Sequence, residues 1–206
     1  MQSILKSKTS KGDATPERST RDRILDAAVQ SLIEQGAART TTLEVQKKAG
    51  VSRGALLHHF PTHAELLSAT VDDLVRRNEQ SVFELQEKLH NAPDAVERAI
   101  RSLALMMGQP PFMAELELWA LARTDEGLRE ALVKVERDAR KESERVLRAL
   151  FAPVADRPGH DAVIAMTTDF LRGFVLSGVL RRNPVRRQQM ISNWVRATQI
   201  LLEHWK

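Results

Sequence analysis

Cysteine is absent from this chain of 206 residues. That excludes a disulfide framework, a thiolate metal site and a cysteine nucleophile. No apolar stretch approaches the ~20 residues that a membrane-spanning helix needs, and the opening MQSILKSKTSKGDATPERST has no long apolar core for export. A cytoplasmic location without a membrane partner is therefore expected. No Gly-rich phosphate loop, nucleophile elbow or HExxH is present, and the acidic residues scatter along helical faces, so neither catalysis nor a cofactor is expected. Strand-like alternation and internal repeats are missing too. What remains is ordinary for a globular protein, with 42% apolar and 28% charged residues, and the length suffices for one large or two small domains with a real core.

Charge is distributed unevenly. Residues 1–60 hold 10 Lys+Arg against 6 Asp+Glu, a net of +4, and the rest of the chain, with 21 of each, is neutral. Residues 1–18, rich in Lys, Ser and Thr with Gly12 and Pro16, read as a disordered basic tail. A helix is expected from Ser19 to Gln35, with an apolar stripe of Ile24, Leu25, Ala28, Val29 and Leu32 and a stop at Gly36. A long helix from Thr62 to about His90 carries Leu66, Leu67, Val71, Leu74, Val75, Val82 and Leu85. Asn91-Ala92-Pro93 breaks it, and the next helix runs to Met107. Gly108-Gln109-Pro110-Pro111 is the strongest breaker. A helix from Phe112 to about Ala122 follows, then one capped by Thr124 and running to Phe151. Its apolar positions Leu128, Leu132, Val135, Ala139, Val146 and Leu150 interleave with dense charge, which suggests an exposed face. After the loop 152–159, two helices are expected, His160 to Arg182 and Pro184 to Trp205, the last capped by Asn183.

Residues 41–67, TTLEVQKKAGVSRGALLHHFPTHAELL, carry the functional signal. Thr41 can cap a helix with Glu44 as its capping-box partner. Gly50 closes a turn, Ser52 caps a second helix running toward Phe60, Pro61 stops it, and Thr62 with Glu65 opens the next. Two short helices about a glycine turn form a helix-turn-helix, whose second helix enters the DNA major groove. In that helix Leu56 and Phe60 should pack inward, leaving Arg53, Leu57 and His58 toward the groove and Ala55 and His59 near its flanks. Arginine suits guanine O6 and N7, and Gly54 permits close approach. His59 and His63 have the i, i+4 spacing of metal ligands, but Pro61 interrupts the helix between them.

With Ile24-Leu25-Asp26-Ala27-Ala28, Gly36, a Thr-Thr pair, AGVSRGALLHHF and a following ELL, the chain resembles the TetR family of bacterial transcriptional regulators, closely over residues 19–67. Leu57, His63 and Gln46 depart from the pattern, standing where tyrosine, lysine and a small apolar residue are frequent. The resemblance implies an all-α fold: a three-helix helix-turn-helix head (19–65) followed by a helical effector-binding and dimerisation domain (66–206), about nine helices altogether. It implies DNA contacts from Thr41, Ser52, Arg53, Gly54, Leu57, His58, His59 and His63, the last two on phosphates, rather than a metal site.

Met106, Met107, Phe112, Met113, Leu116 and Trp119 cluster around the Pro-Pro break. They could be plain core, or the wall of the effector pocket that the family builds in this region, holding a mostly apolar or aromatic molecule. Glu115 and Arg123 are the polar groups nearest in sequence, and either could hold a ligand or point to water; Glu115 is the first candidate to orient one, favouring a cationic or hydrogen-bond-donating ligand if it faces inward. The last two helices carry more apolar surface than one buried stripe each requires, which points to a homodimer through Phe170, Phe174, Val175, Trp194, Val195 and Leu201, the alternative being a well-buried carboxy-terminal core. The expected function is a ligand-responsive repressor on a palindromic double-stranded operator. The alternatives are a regulator governed by a partner protein without a pocket, and a helical metal-dependent enzyme.

Overall fold

The computed structural model describes residues 19–88, 94–180 and 183–205. The basic tail, the Asn91-Ala92-Pro93 break and the side chains of Val82, Leu85 and Ala139 lie outside the described residues. Among the described residues there are nine α-helices and two short 3-10 turns, and no strand.

Local chemistry sets most helix ends. Ser19 accepts from the Asp22 N–H to open α1 (Thr20–Gln35), and Gly36, at φ 82°, closes it. Thr41 caps α2 (Thr42–Ala49) by accepting from the Glu44 N–H at 3.2 Å. The Glu44 carboxylate does not return to the cap as expected; it accepts from Gln35 Nε2 at 3.3 Å. α3 (Arg53–His59) is capped by Ser52, and α4 (His63–Lys88) by Thr62, whose hydroxyl accepts from the Glu65 N–H. Asp94 caps α5 (Ala95–Met107).

Three boundaries differ from expectation. α6 (Pro110–Ala122) begins on the proline pair itself, because prolines in a first turn forfeit only N–H groups that have no helical partner. α7 (Glu126–Leu150) is capped by Asp125, whose Oδ1 accepts from the Leu128 N–H at 2.9 Å. Thr124 does not cap it, since its hydroxyl donates backward to the Leu121 carbonyl. α8 (His160–Ser177) stops before Arg182, its last carbonyls closed by the Gly178 N–H. α9 (Pro184–His204) opens on Asn183 as expected.

Three apolar clusters stack along the molecule. The first joins Ile24, Leu25 and Ala28 of α1 with Val45, Leu56, Phe60 and Leu66, and forms the head. The second joins Val29, Leu32 and Ala37 with Leu67, Val71 and Leu74 of α4, Leu118 of α6, and Leu128 and Leu132 of α7. The third fills the space among α5, α7, α8 and α9 around Ile100, Leu103, Phe151, Leu171 and Val195. α4 therefore crosses the expected 65/66 boundary without a break. Leu66 is buried in the head and Leu67 in the cluster beyond it, so the helix belongs to both.

Candidate nucleic-acid interface and adjoining cavity

The helix-turn-helix is assembled from short-range contacts. Gly50 adopts the left-handed conformation (φ 63°, ψ 41°), and its N–H closes α2. From α1, Arg23 donates to the carbonyls of Ala49 and Gly50 at 2.8 and 3.2 Å, placing a cation on the negative end of α2. Leu56 and Phe60 are sealed in the head core, each burial contributing about 1.5–3 kcal/mol, and Arg21 lies over the Phe60 ring. That inward face leaves Ser52, Arg53, Gly54, Leu57 and His58 on the solvent side of α3, with His59 partly covered and in edge contact with His58. Thr41 is exposed at the start of α2.

His63 stands apart from this face. Its Nε2 lies 2.7 Å from the Thr40 carbonyl, which can only accept, so Nε2 carries the proton and donates. One ring nitrogen is thereby committed to holding α4 against the segment before α2. His59 and His63 do not share a helix, since α3 ends at His59 and α4 starts at His63. Among the described residues, no three His, Asp or Glu side chains converge as a metal site.

A cleft of about 790 Å³ opens among α6, α7 and α8, with Val75 of α4 on one wall. Glu115 and Trp119 line it, four residues apart on α6. Met106, Met107 and Phe112 instead line an adjoining space of about 70 Å³ that also touches Glu115 and Arg172. Met113 faces a separate groove beside Phe174 and Arg187, and Leu116 packs on the third apolar cluster. At 3.6 residues per turn these two positions lie off the face of α6 that carries Glu115 and Trp119, and so away from the cleft. Nor is the cleft the mainly apolar space expected: Glu136, Arg137, Arg140, Glu144 and Arg148 of α7 and Asp161, Asp169 and Arg172 of α8 complete its wall. The dense charge of α7, read in the sequence as a solvent face, is partly this lining. These residues lie too far along the chain from Glu115 for spacing to have revealed them.

The expected dimer residues divide. Val175 and Val195 point into the chain's own third cluster. Phe170, Phe174, Trp194 and Leu201 are half-buried on the same cluster, with the Phe170 ring stacked 4.4 Å from Trp194 and 5.7 Å from Phe174. The apolar side chains left exposed on α8 and α9 are others: Met166, Leu176, Val185 and Ile200.

Residues 24–70 match the family model for bacterial regulatory proteins of the tetR family. An uncharacterised HTH-type transcriptional regulator of Mycobacterium tuberculosis is 33% identical over 113 residues, 55% of this chain and 58% of that protein. The chain thus spans a little over half the length of such relatives. The HTH-type transcriptional regulator CymR of Pseudomonas putida is 27% identical over 172 residues, 83% of this chain and 85% of CymR. Among solved structures, the multidrug binding protein EbrR complexed with ethidium superposes with a TM-score of 0.63, covering 86% of this chain and 98% of EbrR, at 23% identity. At that identity the likeness speaks to fold.

The electrostatics of the cleft are concentrated on α6. Trp119 donates its indole N–H to Glu136 Oε1 at 2.7 Å, and the Arg172 guanidinium lies 5.0 Å from the Trp119 ring centroid. Arg172 reaches Asp169 at 3.5 Å, and its Nε is buried without a hydrogen-bond partner. Glu115 is 7% exposed, and among the described residues none donates a hydrogen bond to it. Burial, reinforced by the charge of Glu136 and opposed by Arg172, pushes its carboxyl up to about 7. Burial also raises Glu136, despite its bond from Trp119.

A carboxyl whose native value lies above its unfolded value of 4.5 keeps a proton that the unfolded chain has already lost. Stability should therefore fall as pH rises from about 4.5 to about 7 and level off above, Glu115 accounting for at most on the order of 3 kcal/mol. Urea denaturation across that window should show a shallower slope for Glu115→Gln than for the wild type. Equal slopes would mean that Glu115 ionises freely in the folded protein.

Proposed function

Since residues 24–70 match the model of the tetR family of bacterial regulatory proteins, we propose that this chain is a homodimeric transcriptional repressor of that family, whose grip on operator DNA is relaxed by a small molecule in the α6–α7–α8 cleft. The observation that carries the DNA half is the exposed face of α3. Arg53, Gly54, Leu57 and His58 stand clear of the three-helix core while Leu56 and Phe60 hold the helix rigidly on it. The excess positive charge of the chain lies within residues 1–60, which include this helix, and attracts phosphates to that end of the chain. His59 flanks that face as a phosphate contact, and Thr41 contributes a hydroxyl at the N-terminus of α2, whereas the His63 N–H is given to the Thr40 carbonyl. Regulation of this kind is binding, not catalysis.

A cleft that senses must be connected to the head, and α6 supplies the connection. Glu115 and Trp119 look into the cleft, whereas Glu117 turns the other way and accepts from the Ala37 N–H at 2.9 Å, against Gly36. Ala37 lies in the short 3-10 turn that leads through Thr40 to the cap of α2. A shift of α6 on ligand binding would thus be felt at the first turn of the helix-turn-helix. The ligand can favour such a shift only through unequal affinity for the two arrangements. The competing reading, a regulator controlled by a partner protein, is disfavoured by a cleft whose size is within the range of small-molecule sites. EbrR, in its complex with ethidium, is a fold-level precedent for small-molecule binding.

For the dimer, the second copy is expected to cover the exposed apolar residues Met166, Leu176, Val185 and Ile200 of α8 and α9. The half-buried Phe170 and Trp194 would extend that face at its centre.

Three outcomes are expected. Against an operator selected from random duplexes, Arg53→Ala should lose about 1–3 kcal/mol of binding, and wild-type affinity should fall steeply with salt. Equal binding by the two proteins would remove α3 from the groove. Leu176→Arg, at a site 56% exposed in the single chain, should sediment as a folded monomer and fail on a palindrome with half-sites about 34–36 Å apart; a wild-type monomer at micromolar concentration would refute the dimer. Finally, Glu117→Ala should deprotect the Ala37 amide in hydrogen exchange and weaken the response of operator affinity to an occupied cleft by roughly fivefold or more. Unchanged protection would sever the route through α6.

A further inference from the structure

We propose that the cleft takes an aromatic cation, whose charge sits between the Glu115 carboxylate and the face of Trp119 in place of the Arg172 guanidinium. This deepens, and rests on, the reading of the cleft as an effector site. Glu115 is the anomaly that demands an explanation. It is nearly as buried as a core leucine, yet among the described residues it has neither a hydrogen-bond donor nor an ion-pair partner. A buried carboxyl in that condition is costly unless something else brings the missing charge or donor.

Within the protein itself, the cation nearest to doing so is Arg172. Its attraction for Glu115 is felt as a downward pull on the carboxyl, and its guanidinium already occupies the face of Trp119. The hold on Arg172 is loose. One nitrogen makes a 3.5 Å contact with the largely exposed Asp169, and the buried Nε has no acceptor. Arg172 therefore marks the position of a cation without being fixed there. A ligand cation with a planar body would exchange with it, stack on Trp119 and pair with Glu115 on the same face of α6, one helical turn away. The indole would be held for it by the Trp119–Glu136 bond. Displaced, the Arg172 head can swing out to Asp169 and water.

An anion has the opposite fate. It would meet Glu115 and Glu136 together, and the arginines Arg137, Arg140 and Arg148 that could welcome it are exposed on α7, where water already solvates them. The space of about 790 Å³ accommodates a three-ring molecule with room for its substituents.

The exchange also moves a proton. Groups facing Glu115 are Glu136, with Arg140 behind it, on α7 and Arg172 on α8. Among the described residues, α4 and α5 offer Val75, Leu103, Met106 and Met107. Near neutral pH a fraction of Glu115 is protonated, and an entering cation expels that proton. Cation affinity should thus rise with pH through about 7 and become flat above it.

The test uses three near-isosteric probes on the full-length protein at pH 8: N-methylacridinium, a permanent cation; acridine, uncharged; and acridine-9-carboxylate, an anion. Binding is followed by calorimetry and by quenching of tryptophan fluorescence, with Trp119→Phe identifying the responding ring. The cation should bind at least tenfold more tightly than acridine, and the carboxylate most weakly. Glu115→Gln should abolish the preference, whereas Arg172→Gln should strengthen cation binding several-fold. At pH 7, calorimetry in buffers of different ionisation enthalpy should show proton release in the wild type and none in Glu115→Gln. Preference for acridine or its carboxylate, or a Glu115→Gln protein that still selects the cation, overturns the proposal and leaves an effector site of another chemistry. Binding of none of the three up to millimolar concentration overturns the cation site and the effector reading together.

Discussion

The double burial of α4 is the constraint on which the rest of the molecule depends. Within its first four turns the helix gives Leu66 to the head and Leu67, Val71 and Leu74 to the cluster below, all essentially without exposure to solvent. Arg77 adds an ion pair from the same helix to Asp26 of α1 at 2.5 Å. Neither cluster can repack without moving α4, and α4 cannot rotate without exposing apolar area worth about 25 cal/mol per Å² to water. The head is consequently a rigid extension of the body. A domain joined by a flexible linker would hold its recognition helix at no defined distance from that of a partner. One joined by a shared helix transmits orientation.

Rigidity of this kind makes small displacements informative. Close-packed interiors do not deform smoothly; they change between discrete packings. α6 sits where such a change would be read in both directions, with Glu115 and Trp119 in the cleft and Glu117 at the Ala37 amide. Gly36 makes the contact possible, since a Cβ there would come within 2.8 Å of the Glu117 carboxylate, and its φ of 82° suits glycine alone. The same helix carries Glu115, a buried carboxyl to which none of the described residues donates a hydrogen bond. A buried carboxyl without a hydrogen-bond donor weakens the fold at neutral pH, and stability given up at a cleft is a mark of a site kept ready for binding.

The amino-terminal third was legible from the sequence because its determinants are local. Thr41, Ser52 and Thr62 each cap the residue three positions on, Gly50 supplies a left-handed turn, and Pro61 ends a helix. Such rules act over one helical turn and do not depend on what packs where. The apolar spacing of Leu56 and Phe60 likewise determined which side of α3 faces inward and hence which side remains for a ligand. Even there, His63 escaped, because the Thr40 carbonyl that engages it lies 23 residues back and is oriented only once α1 and α4 have packed.

Beyond α4 the sequence determined the number and type of elements but not their phase. Whether Thr124 or Asp125 caps α7 turned on the Thr124 hydroxyl donating to Leu121 instead. Which face of α6 meets the cleft was set by its packing, which gave that place to Glu115 and Trp119 and turned Met113 and Leu116 elsewhere. Val175 and Val195, apolar and evenly spaced like their neighbours, went inward on α8 and α9 while Leu176 and Ile200 stayed outside. The cleft itself belongs to the tertiary structure alone. Glu115, Glu136 and Arg172 come from three helices, and only their packing removes water from around Glu115, raises its carboxyl and leaves it without a partner. Composition and periodicity act along one helix; charge, burial and cavity are properties of the space between several.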